Sequence, residues 1–473
     1  MAVSESLQSL QDAPLSWKDK LLAIIESDPL INGIVALAIT IGFFHGWLKI
    51  HYRHPAVTFL FDAFLLLALV LVFLQQKRGV SFLPPSPISG ALKGFYAVCG
   101  FYFFLPWGPP WLICLASARG WCFATLMFIL GYRLTKSLNQ VKGYFYVLIL
   151  LGVITAVYGI RQDPESIQRM MDEDEVMAER FKNSNYVTSQ GKLQFRIFST
   201  FVSSGVFGNT MAYVLIFAIA MMSAPRATQF ERFLLLGAMA PMAYAIIISG
   251  SRTSFMLLGF GFLVIAWQRR NFQNFILIPV ALVVAFKLGI GFTSGASAER
   301  FGSLLKFGEV FYRNQIPTQI GWDYMLDNPL GGGLGKSSYS IPFVLSNRLG
   351  YSDFYGADGD LGRLMIELGI VGVIFFGRIL WVTLKTAKTH LLVLRDTPLG
   401  TVAMASASCF VMAVASFPSG SPFLGIPTGA LVWFFLGTLE KLASEHAKGA
   451  WELPETTSPQ APAKRFLYYR PKR

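Results

Sequence analysis

Three carboxylates and four guanidinium groups stand out in this chain. They flank long apolar stretches, where a charge is costly unless it has a task. The acids Asp358, Asp360 and Glu367 crowd into Asp358-Gly-Asp-Leu-Gly-Arg-Leu-Met-Ile-Glu367, at the head of an apolar run. A carboxylate near lipid has a raised pKa unless paired, which suits a proton acceptor near neutral pH. Asp358, on the loop side, is the better placed base and Asp360 the second candidate. Glu367, about two turns into the run, is spaced to pair with Arg363 at i, i+4.

The arginines are Arg252, in Ile248-Ser-Gly-Ser-Arg-Thr-Ser254; Arg196, in Phe195-Arg-Ile-Phe-Ser-Thr-Phe201; Arg313; and Arg363. An arginine at a membrane boundary can simply snorkel to the headgroups. It can also fork onto phosphate oxygens better than an ammonium does, and the small residues around Arg252 leave room for a bulky anion. One shared anionic ligand accounts for all four cations; the alternative is that some pair with Asp358, Asp360 or Glu367. Between Arg313 and Arg363 runs Asn328-Pro-Leu-Gly-Gly-Gly-Leu-Gly-Lys336, with Gly331, Gly333 and Gly335 alternating. It looks like a phosphate-binding P-loop, but Leu330 occupies the first required glycine position and no strand is predicted before it, so nucleotide binding is excluded. Two readings remain: amides that cradle an anion, or a plain turn after Asn328-Pro329.

The elements that must position these groups are membrane helices. Hydrophobic residues make up 53% of the chain and charged residues 14%, with mean hydropathy +0.50. Apolar runs of about 18–22 residues recur, the length that crosses a hydrocarbon core. They predict an all-α polytopic protein with about twelve spans, near 30–48, 55–74, 88–106, 111–131, 143–160, 205–223, 233–250, 253–268, 272–290, 361–382, 400–417 and 422–440. Only Ser249-Gly-Ser-Arg252 separates the seventh and eighth, which predicts a tight helical hairpin. Nearly all charges lie at span ends, Lys287 being the partial exception.

Lysines and arginines group in alternate connections (Lys77-Arg78; Arg133, Lys136 and Lys142; Arg226 and Arg232; Arg269-Arg270; Lys385, Lys388 and Arg395) and again in the tail, against Lys49 and Arg53. The positive-inside rule makes that side cytoplasmic. The expected organisation is a cytoplasmic leader (1–28), a transmembrane domain (29–441) with outer loops 161–204 and 291–360, and a basic cytoplasmic tail (442–473). Both termini face the cytoplasm.

The net charge of +13 is dispersed between apolar runs rather than gathered on a face, which argues against nucleic acid. Cys99, Cys114, Cys122 and Cys409 lie inside apolar runs without metal-ligand spacing and read as small core residues. The acid-rich segment 163–180 reads as a short helix with a solvated acidic face rather than a metal site. No histidine falls in 291–360.

In order along the chain, Arg196-Ile-Phe-Ser-Thr-Phe, Ser249-Gly-Ser-Arg252, Arg313, Asn328-Pro-Leu-Gly-Gly-Gly-Leu-Gly and Leu364-Met-Ile-Glu-Leu-Gly-Ile-Val-Gly372 resemble the O-antigen ligase and polymerase superfamily, over roughly residues 190–380. The resemblance implies a GT-C-like membrane glycosyltransferase of the bacterial inner membrane, needing neither metal nor nucleotide cofactor. Its donor would be an undecaprenyl-pyrophosphate-linked oligosaccharide, its further partners membrane lipids, a chain-length regulator and a flippase. Arg252 and Arg313 would bind the pyrophosphate, with Arg196 as an addition. Ligases of this family carry a histidine nine residues before the Glu-Leu-Gly; here that position is Asp358, which turns the expectation toward polymerase. The rival from another class is a transporter or lipid-linked glycan flippase, which would show paired repeats and mid-membrane polar groups. No internal repeat is visible. A scaffolding membrane protein is the third reading.

Overall fold

The structure is a computed structural model that describes residues 28–52, 54, 56–75, 83–105, 108–173, 185–187, 193–225, 227–269, 307–337, 349–357 and 359–449. Among the described residues helix follows helix: α1 (Asp28–Phe43), α2 (His45–His51), α3 (Ala56–Leu74), α4 (Pro87–Phe103), α5 (Trp111–Leu134) and α6 (Leu138–Arg161) precede the polar segment 162–203. After it come α8 (Ser204–Met222), α9 (Gln229–Ile248) and α10 (Arg252–Arg269), and finally α12 (Asp360–Leu394), α13 (Gly400–Ser416) and α14 (Thr428–Ala447). The starts are chemically marked. Ser86, Ser137 and Ser203 each accept a backbone N–H in the first turn, and Thr228 with Glu231 closes a capping box on α9. Each satisfies an amide that has no intrahelical partner.

Among the described residues six helices are long and apolar enough to cross a bilayer: α3, α5, α6, α8, α9 and α12. The bent pair α1–α2 would make seven. The chain is therefore a polytopic helical membrane protein. Of the other predicted spans, α4, α10, α13 and α14 occupy four positions but do not pass on length and composition, and 272–290, with Lys287, lies outside the described residues. Two further expectations need correction. The run 30–48 is broken by a 66° bend rather than continuous. Charges are not confined to span ends, because Asp62 of α3 and Arg119 of α5 form an ion pair inside two spans, with the guanidinium also over the Phe59 ring.

The core explains why no face of these runs is polar. α8 is packed by α6, α9, α10 and α13, and its side chains from Thr210 to Met221 are all buried. α5 and α14 cross closely where glycines remove the Cβ: one added at Gly437 would lie 2.8 Å from the Tyr132 amide nitrogen. Small residues let helices approach in this way where lipid provides no hydrophobic drive. α9 and α10 are joined by the short link Ser249–Ser251, with Arg252 already in α10 rather than in the link, and they do not pair as the expected hairpin; α9 lies on α8 and α6, α10 on α13 and α8. The segment between α6 and α8 contains α7 (Pro164–Glu173), the expected short helix, started by Asp163 accepting from the amides of Glu165 and Ser166. An antiparallel ribbon of β1 (Asn185–Val187) and β2 (Leu193–Phe195) follows, with Tyr186 opposite Gln194. The second loop holds α11 (Phe307–Asp327), which crosses the head of α12 at Gly321 and Gly362.

Candidate functional site

A helix interrupted inside an apolar protein leaves backbone groups that water cannot serve, so each must find a partner in the chain. α12 is interrupted at Gly369, whose φ of 56° and ψ of −150° lie outside helical space. In a continuous helix the Ile370 amide would reach the Ile366 carbonyl. Here Ile370 N–H donates to the Pro329 carbonyl at 2.9 Å, and the Ile366 carbonyl accepts from Gly332 N–H at 2.8 Å. The Glu367 carbonyl accepts from Gly333 N–H at 3.1 Å. The Leu368 carbonyl accepts from the Tyr102 hydroxyl at 3.0 Å, which also reaches the Leu330 carbonyl at 2.7 Å. The glycine-rich loop, with Tyr102 of α4, thus fills the break in α12.

The alternating glycines follow from this fit. Gly331, Gly333 and Gly335 have φ of 77°, 89° and 88°, a region that side chains disfavour. A Cβ on Gly331 would lie 2.6 Å from Gly369 N, one on Gly333 2.8 Å from Gly108 Cα, and one on Gly335 2.6 Å from the Ile113 side chain. The proposed anion cradle needs correction on two amides: Gly331 N–H donates to the Asn328 carbonyl and Gly333 N–H to Glu367, so neither points to a ligand. Tyr102→Phe removes the donor serving two carbonyls. It is expected to cost about 1–3 kcal/mol, read as a lower Tm of the protein in detergent; an unchanged Tm would mean another donor already serves them.

Glu367 sits beneath the same break, fully buried. Its Oε2 accepts from the Ser117 hydroxyl at 2.6 Å and the Trp121 indole N–H at 2.8 Å, and its Oε1 from the Ser337 hydroxyl at 2.6 Å. The expected pair with Arg363 is absent. Arg363 Nη2 donates to the Ser421 hydroxyl at 2.8 Å, and its Nη1 lies 3.7 Å from Asp360 Oδ1. Asp360 Oδ2 accepts from Phe423 N–H at 3.0 Å, while Asp360 N–H donates to the Gly420 carbonyl. Asp360 is 0% and Arg363 1% exposed. Through these contacts Asp360 and Arg363 clamp the head of α12 to the 417–427 connection.

The loop is also held by the segment 349–357. Lys336 forms an ion pair with Asp353, and its carbonyl accepts from Tyr355 N–H at 2.9 Å. Tyr351 and Phe354 pack on Ile113 and Ala116 of α5. Burial, with the Asp353 carboxylate second, pushes the Tyr351 phenol up to about 12, so it stays a neutral donor at physiological pH. Asp358 lies outside the described residues; Tyr355 and Asp360, on either side of it in the chain, are both anchored.

The segment of Arg196 fills the other break. Where a continuous helix would join Trp47 N–H to the Phe43 carbonyl, Trp47 donates to the Thr200 carbonyl at 2.9 Å and the Thr200 hydroxyl donates to Phe43 at 2.7 Å. Ser199, at a φ of 55°, is held by its hydroxyl on the Thr155 carbonyl and its amide on Gln162 Oε1 at 2.9 Å. Arg252 is half-buried at the start of α10. Its turn is seated on α8, where Ser254 donates to Asn209 Oδ1 at 2.8 Å and a Cβ on Gly208 would meet Ser249 Oγ at 2.6 Å. Residues 196–203 lead into α8, and the turn that carries Arg252 is seated on the same helix. Arg313 falls on α11, its side chain outside the described part.

Sequence reasoning missed Ser117, Trp121, Tyr102 and Ser337. The available signal was the four-residue spacing of Ser117 and Trp121, one helix face carrying two hydrogen-bond donors inside an apolar run.

Residues 237–377 match the family model described as O-antigen ligase. This stretch belongs to the O-antigen ligase/polymerase superfamily. The ligase-family match covers less than a third of the chain, yet it contains Arg252, Arg313, the glycine-rich loop, Glu367 and the break at Gly369. Arg196 and helices α1 to α8 fall outside it. No curated protein matches the chain.

Proposed function

We propose that this protein is a membrane glycosyltransferase that joins undecaprenyl-pyrophosphate-linked glycan repeat units at the outer face of the bacterial cytoplasmic membrane. The observation that carries the reading is the family match over the stretch that holds Arg252, the loop-filled break and Glu367. In the reaction an acceptor sugar hydroxyl attacks the anomeric carbon of the lipid-linked glycan. The bond from that carbon to the pyrophosphate oxygen breaks, and the hydroxyl proton passes to Asp358. Arg252 and Arg313, with Arg196, stabilise the charge gathering on the departing pyrophosphate, which fixed cations do best where water is scarce. The reaction uses no metal or nucleotide. Inversion at the anomeric centre follows from the family resemblance.

The accompanying topology has twelve spans, outer loops 161–204 and 291–360, and a cytoplasmic leader and tail. Alternating basic groups support it. Lipid-linked oligosaccharide and membrane lipids are the immediate partners, with a chain-length regulator and a flippase acting on the same intermediates. A second reading, ligation of finished glycan to a lipid acceptor, is favoured by the family's description as O-antigen ligase; Asp358, standing where ligases carry histidine, favours polymerase.

The test is the surface glycan of a strain lacking the gene, sized on a gel beside its undecaprenyl-linked intermediates. Single repeat units on the carrier with no long ladder are expected. Full-length polymer stranded on the carrier would mean ligation. Unchanged glycan in both pools would overturn the glycosyltransferase reading and favour transport.

A further inference from the structure

We propose that Glu367 is a positioning residue for the transfer reaction, a latch that sets the glycine-rich loop against α5. The proposal rests on the glycosyltransferase reading above. Glu367 is fully buried, so it does not meet substrate, and its three side-chain partners are the neutral donors Ser117, Trp121 and Ser337. The two carboxylate oxygens divide the work. Oε2 faces α5, while Oε1 faces the end of the loop, and the residue's carbonyl holds Gly333 at the middle of the loop. One residue thus ties the loop at two points to a rigid helix.

That tie is passed outward. Ser337 adjoins Lys336, which holds the segment 349–357 through Asp353 and Tyr355, and that segment leads into Asp358. A register error at the latch therefore displaces the segment leading to the proposed base, and a displacement of about 1 Å can cost about 10²-fold in rate. The geometry requires the shape of the group rather than its charge. A glutamine amide can accept from Ser117 and Trp121 with its oxygen and donate to Ser337, whose hydroxyl both donates and accepts. An acid-base role would instead require the carboxylate.

The test uses the full chain in lipid nanodiscs, with an undecaprenyl-pyrophosphate-linked repeat unit as donor. It compares kcat and KM with amide hydrogen exchange over 328–337 and 349–357. Glu367→Ala is expected to lower kcat about 10²-fold and Ser337→Ala about tenfold, with KM within about threefold of wild type and faster exchange in both segments. Glu367→Gln is expected to stay within about threefold of wild type and to keep the protection. If Glu367→Ala does not fold, Ser337→Ala and Glu367→Gln carry the comparison. A glutamine variant as inactive as the alanine one, with wild-type exchange, would overturn the latch in favour of a role for the charge. Alanine variants with undisturbed exchange would overturn it as well. If wild type itself transfers no glycan, the glycosyltransferase reading fails, and the exchange data alone decide the latch.

Discussion

Arg252→Ala is expected to lower glycan transfer by about 10²–10³-fold, the usual cost of removing one group that stabilises developing charge. In cells the long ladder should disappear while single repeat units collect on the carrier. Arg252 suits this role because it is held in place. The turn around it is seated on α8, with Ser249 and Ser251 before it and Ser254 after it packed against Gly208 and Asn209. A guanidinium on a fixed turn loses little freedom when it forks onto a diphosphate. Arg252→Lys should recover part of the rate, since an ammonium keeps the charge but not the paired geometry. A normal ladder from Arg252→Ala would remove this residue from the pyrophosphate site.

Gly369→Ala should be the most damaging small substitution in α12, destabilising the protein by about 2–6 kcal/mol. Two costs add. The backbone at φ 56° and ψ −150° lies in a region open essentially to glycine alone, worth about 1–3 kcal/mol. The new Cβ would also lie 2.6 Å from the Gly331 amide nitrogen, inside the loop that fills the break. Backbone on both sides leaves nothing free to move aside. Gly331→Ala attacks the same contact from the loop, where a Cβ would meet Gly369 N at 2.6 Å. Its effect should be similar, and the double variant should fall short of the sum because the two share one contact. Gly377, on the same helix with open space around its Cα, is the control: alanine there should be neutral or stabilising by up to about 1 kcal/mol. Thermal unfolding in detergent separates these outcomes, and equal Tm values for the Gly369 and Gly377 variants would contradict the account of the break.

Most helices could be read from the chain because each apolar run satisfies its own backbone and needs only lipid or a neighbouring helix around it. The short acidic helix α7 and the short link between α9 and α10 were legible for the same local reason. The site was legible in part. Arg252, the glycines and the Glu-Leu-Gly drew attention by their type and place, but their roles did not follow from spacing. Local geometry favoured Glu367 with Arg363, four residues away. In the fold Glu367 instead meets Ser117 and Trp121, 250 and 246 residues distant, and Arg363 meets Ser421.

What the sequence by itself determined is therefore the class of protein and the residues of interest: a helical membrane chain with cations, acids and glycines gathered at boundaries. That information is local, since hydropathy and charge belong to each residue. Only the tertiary structure decided that Gly369 breaks its helix and that residues 328–337 and 196–201 fill two breaks. A broken helix is stable only when distant backbone and side chains replace its lost hydrogen bonds. Nothing in Leu364-Met-Ile-Glu-Leu-Gly-Ile-Val-Gly372 names Pro329, Gly332, Gly333 or Tyr102 as those partners.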